Sequence, residues 1–73
     1  MDKSKYKYPR GEHVWTNYIN IHGDLMFIVT TKPSSNFYYL YELIDNNFVK
    51  LGRGDSPPEL ENRFNVDDKL RQK

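Results

Sequence analysis

Two segments of the chain, Leu25-Met26-Phe27-Ile28-Val29 and Phe37-Tyr38-Tyr39-Leu40-Tyr41, are apolar without a break. A strand with one side in a core and the other in water alternates apolar and polar residues. An unbroken run puts apolar side chains on both faces of a sheet. At 73 residues the chain is one domain at most. A domain of this size buries only about 60% of the surface its unfolded form exposes. It must cover two apolar faces with little material, or leave one for a partner.

Turn chemistry divides the chain. His22-Gly23-Asp24, Pro33-Ser34-Ser35-Asn36 and Asp45-Asn46-Asn47 separate four predicted strands, over 14–21, 25–32, 37–44 and 48–51. Connections this short make hairpins, so an antiparallel meander in order 1-2-3-4 is expected. A loop over 52–56 leads to a helix. Ser56-Pro57-Pro58-Glu59 fits a capping box, and the dihedral restriction before a proline favours a start at Pro58. Leu60 and Phe64 share a helix face. Asn65 ends this helix or caps a short second one carrying Leu70. The expected class is α+β, a four-stranded meander with one C-terminal helix on one face. The alternative is a small SH3- or OB-like barrel with a terminal helix, in which the sheet covers its own second face.

Pairing residues through the turns sorts the faces. A two-residue turn at Gly23-Asp24 pairs Ile21 with Met26 and Ile19 with Ile28. A four-residue loop at 33–36 pairs Thr30 with Tyr39 and Ile28 with Tyr41. A three-residue turn at 45–47 pairs Leu43 with Val49 and sets Lys50 against Glu42. One face then carries Trp15, Ile19, Ile28, Tyr39, Tyr41 and Leu43, and the helix is expected there. The other has an apolar centre inside a polar rim, the anatomy of an interaction surface. Its expected protein-binding residues are Tyr18, Phe27, Val29, Tyr38 and Leu40 as anchors, with Glu42 and Lys50 at the rim.

Residues 1–11 read as a flexible basic arm ahead of a single domain over 12–73. The arm holds Lys3, Lys5, Lys7 and Arg10 against Asp2, while the remainder is mildly acidic. Tyr6 and Tyr8 are candidates for docking on the domain or a partner. The arm has no apolar stretch behind it, so no signal peptide is expected. No run approaches the roughly 20 apolar residues that span a bilayer. The absence of cysteine fits a reducing compartment, and a cytoplasmic location is expected.

Chemical motifs are sparse. His13 and His22, beside Glu12 and Asp24, have metal-ligand chemistry, but extended backbone separates them by about 30 Å. Arg53-Gly54-Asp55 reads as turn residues before the helix. A buried general acid needs a cleft, which this size hardly provides, so neither catalytic residue nor cofactor is assigned. The expected function is non-catalytic binding of another protein, or of a second copy as a homodimer. Small regulators and inhibitors, including those encoded by bacteriophages and mobile elements, offer an analogy of size. An unpaired outer strand, first or fourth, provides a second mode by strand addition. The alternative is nucleic-acid binding, with sheet aromatics stacking on bases and Lys3, Lys5, Lys7 and Arg10 meeting phosphates.

Overall fold

The computed structural model describes residues 6–72. The strands are β1 (His13–Ile19), β2 (Leu25–Thr31), β3 (Tyr38–Ile44) and β4 (Asn47–Gly54). Two short helices follow, α1 (Pro57–Arg63) and α2 (Val66–Leu70). The sheet is antiparallel in the order β1-β2-β3-β4 and remains open, so the barrel alternative is not formed.

The central hairpin has the register expected from its loop, with Ile28 against Tyr41 and Thr30 against Tyr39. The outer pairs differ. Between β1 and β2 the turn takes Asn20 to Asp24. The Asn20 amide donates to the Asp24 carbonyl at 2.9 Å, and its side-chain oxygen accepts from the His22 and Asp24 amides. That wider turn sets Asn17, not Ile19, opposite Ile28. At the third connection Asp45 and Asn46 both adopt left-handed backbone, φ 53° and 67°. Two such residues make a two-residue turn whose twist suits a hairpin. The turn sets Lys50 against Tyr41 rather than Glu42, and a bulge follows between Leu40 and Tyr41.

The helices lie on the face expected to be free. Phe27, Val29, Leu40, Leu60 and Val66 form one fully buried cluster, flanked by Tyr18, Met26, Tyr38, Leu51, Phe64 and Leu70. Burying a side chain such as Leu60 is worth roughly 1.5–3 kcal/mol. The reason for the reversal lies in β4, which runs on through Gly52 and Gly54 instead of stopping at Leu51. A Cβ at Gly52 would stand 2.8 Å from the Phe64 ring, and one at Gly54 would stand 3.3 Å from Leu60. Two side-chain-free positions on one face of an outer strand leave the space into which the helical layer settles.

Local signals shape the helices. Ser56 is the N-cap of α1 without a side-chain cap bond, and Pro57, not Pro58, opens the helix. Glu59 reaches back to accept from the Asp55 amide at 2.8 Å, one residue beyond the expected box. Asn65, at φ 54°, separates the two helices and is the N-cap of the second, one of the two alternatives its position allowed. No described helix is long and apolar enough to cross a membrane.

The opposite face carries Ile28, Tyr39 and Tyr41, with Leu25 and Phe48 beside them. The described part of the arm lies here as a strap. Lys7 bridges to Asn47 at the start of β4, and the Tyr6 and Tyr8 rings sit 6.0 and 5.0 Å from Phe48. Glu12 ends the strap, accepting from Thr30 Oγ1 at 2.5 Å and from the Tyr41 hydroxyl at 2.9 Å. Lys32 Nζ stands 3.8 Å from the Glu12 carboxylate.

Two phenols thus fasten one layer each. Tyr41 donates to Glu12 of the strap, and Tyr18 donates to Glu61 of α1 at 2.6 Å. Burial, then the hydrogen bond to the carboxylate, pushes both phenols above their ordinary range. Below about pH 10 both phenols are neutral whether the chain is folded or not. As pH rises above that value the unfolded chain ionises first, so stability falls until the folded phenols ionise too. Thermal melts followed by circular dichroism should show a midpoint that declines steadily above about pH 10. Tyr18→Phe should flatten that decline, and an unchanged slope would show that this phenol is not held neutral by folding.

A candidate protein-binding edge on the first strand

The expected anchors share the helix-bearing face, but that face is closed. Phe27, Val29 and Leu40 have no exposed surface. Tyr18 is half-buried against α1 and Tyr38 is half-buried beneath Trp15, with ring centroids 5.6 Å apart. Glu42 is half-buried on the same side. Lys50 has gone to the opposite face, its Nζ 4.7 Å from the Tyr39 ring centroid. The Glu42–Lys50 rim pair is therefore replaced by a cation over an aromatic ring. Of the expected nucleic-acid contacts, Lys7 and Arg10 are exposed on the strap, whereas Lys3 and Lys5 lie outside the described residues. Among the described residues no three metal-ligating side chains come together.

The exposed apolar surface is concentrated along β1 instead. Trp15 is 60% exposed, Ile19 49% and Ile21 54%, and Val14 is exposed beside them. Trp15, Ile19 and Ile21 were expected in the core. They miss it because the wider turn leaves Ile21 beyond β1, and because the register is irregular at Trp15, between Val14 and Thr16, and again between Tyr18 and Ile19.

Two further properties distinguish this edge. Among the described residues β1 pairs with β2 only, and its outer backbone faces no strand. From Val14 to Ile21 it carries no charged side chain, and charge is a common protection against strand addition. The chain just past its C-terminal end is anchored, because the Ile21 amide donates to the Leu70 carbonyl of α2 at 3.1 Å. The other outer strand, β4, is partly occupied. Lys7 bridges to its start, and Arg63 Nη1 donates to the Arg53 carbonyl near its end at 2.8 Å. An uncharged, anchored, singly paired strand offers a partner its backbone hydrogen-bonding groups together with apolar side chains.

The apolar alternation missing from 14–21 carried some signal of this arrangement. Trp15 and Ile19 are four apart with polar Asn17 between them, so a bulge was needed to take Trp15 away from the Asn17 row. No protein-family model, curated protein or solved structure matches the chain.

Proposed function

We propose that the chain is a non-catalytic protein-binding module, a small regulator or inhibitor that receives an extended, uncharged segment of its partner on the outer edge of β1. The observation that carries this reading is the exposure of Trp15 and Ile19 on β1, and of Ile21 just beyond it, along a strand with no second neighbour among the described residues. Backbone pairing supplies affinity, and the large side chains supply the anchors that dominate most interfaces. Trp15 leans on Tyr38, and through it on the core, so it is held in place before binding rather than ordered by it.

The test uses the immobilised chain and nuclease-treated extract. A retained protein should protect the β1 amides from hydrogen exchange, and its capture should fall at least about tenfold, or 1.4 kcal/mol, with Trp15→Glu or Ile19→Glu. Circular dichroism of both variants should match the parent. Retention that survives both substitutions would exclude the β1 edge. Light scattering behind gel filtration identifies the case in which the partner is a second copy, since the mass is then twice 8.8 kDa.

A further inference from the structure

The fold sorts charge by layer. Among the described residues, the strap and the sheet face beneath it carry Lys7, Arg10, Lys32, Lys50 and Arg53 against Glu12 alone, five bases to one acid. The helical layer holds Glu59, Glu61, Asp67 and Asp68 against Arg63, Lys69 and Arg71, four acids to three bases. The overall charge of +1 conceals this asymmetry.

The cations also gather at one end of that face. Lys32 follows β2, Arg53 lies near the end of β4 opposite Tyr39, and Arg10 precedes β1, which the antiparallel order places together. Asp24 and Asp45 sit in the turns at the opposite end, and the exposed Asp55 follows β4 at the cation-bearing end. Aromatic rings hold the cations in position. Lys32 Nζ and Lys50 Nζ are 5.1 and 4.7 Å from the centroid of the same Tyr39 ring, and the Arg53 guanidinium carbon is 4.5 Å from that of Phe37. Such contacts are electrostatic and leave N–H donors of both groups available. The Glu12 carboxylate is already engaged by Thr30 and Tyr41 and only approaches Lys32 at 3.8 Å.

We propose that this end of the strap-bearing face binds single-stranded nucleic acid, with Lys32, Lys50 and Arg53 meeting successive phosphates and the Arg53–Phe37 stack offering a plane to a base. Two ammonium groups alone fit any polyanion. The guanidinium held over a ring at the margin of the sheet favours unpaired bases, which stack on aromatic and guanidinium planes. The site shares no residue with the β1 edge, so the two readings stand or fall separately.

The test is fluorescence anisotropy of a labelled 12-mer of deoxythymidine, with a 12-mer of glutamate as the competing polyanion. Binding should be in the micromolar range at about 50 mM salt, and three phosphate contacts give a log–log salt slope of roughly −2. Lys50→Glu and Arg53→Glu should each weaken it about fivefold or more and flatten the slope. Arg71→Glu, the same charge change on the helical layer, should alter it less than about twofold. If a reversal disturbs the circular dichroism spectrum, Lys50→Gln and Arg53→Gln replace it. No binding at about 50 mM salt, equal loss with Arg71→Glu, or equal affinity for the glutamate 12-mer would each overturn the proposal.

Discussion

Phe27→Ala is expected to destabilise the domain by about 3–5 kcal/mol, whereas Trp15→Ala should cost only about 1 kcal/mol. Both remove a large aromatic ring from a strand. Phe27 is fully buried between the sheet and the helices, so its removal forfeits transfer energy and leaves a cavity among Val29, Leu40, Leu60 and Val66. Trp15 is mostly in water, and its loss forfeits chiefly the edge-on contact with Tyr38. A domain of this length has a total stability of about 4–11 kcal/mol, so Phe27→Ala should leave a substantial unfolded fraction at 37 °C. Urea titrations at a common temperature measure both. The opposite ranking would mean that the helices cover the other face.

The second large effect is expected at Glu12. Its side chain is 6% exposed and its carboxylate accepts from Thr30 and Tyr41. Glu12→Ala leaves the Thr30 and Tyr41 hydroxyls without their partner, and an orphaned buried polar group costs about 1–3 kcal/mol. Water entering the vacated space recovers part of this, so a net loss of about 2–4 kcal/mol is expected. Glu12→Gln retains one acceptor oxygen and should lose roughly half as much. In a double-mutant cycle, Tyr41→Phe should be markedly less harmful in the Glu12→Ala background than in the parent. Hydrogen exchange should show faster exchange over residues 6–12 with the sheet amides still protected. Unchanged exchange there would mean that Glu12 does not fasten the strap.

Much of the architecture was legible because hairpin geometry is local. The four residues between Lys32 and Phe37 determine the β2–β3 register, and Ile28 faces Tyr41 as their number requires. The other two turns were harder to read. Asx residues tolerate left-handed backbone, so Asp45-Asn46 forms a tighter turn than residue count alone suggests. Asn20 bonds the backbone two and four residues ahead, which widens the first turn. Each difference moves side chains relative to their neighbours, and together they place Lys50 beside Tyr39 and leave Ile19 and Ile21 outside.

The candidate site was less legible than the fold. The residues singled out as anchors, Phe27, Val29 and Leu40, lie side by side, but under the helices. A useful signal was present in Gly52 and Gly54, two apart and therefore on one face of an extended strand. Read as loop residues, they say nothing; read as strand residues, they indicate where another element comes close.

The sequence by itself determined the number and order of the strands, the central register, the place of the helical segment and the presence of two apolar faces. These follow from alternation, turn length and capping, which act over a few residues. Only the tertiary structure decided which face became the core, which edge was left apolar and where the cations gathered. The two faces are similarly apolar, so transfer energy does not choose between them. The choice falls to space and reach: two glycines that admit α1 on one side, and a strap whose Glu12 finds Thr30 and Tyr41 on the other.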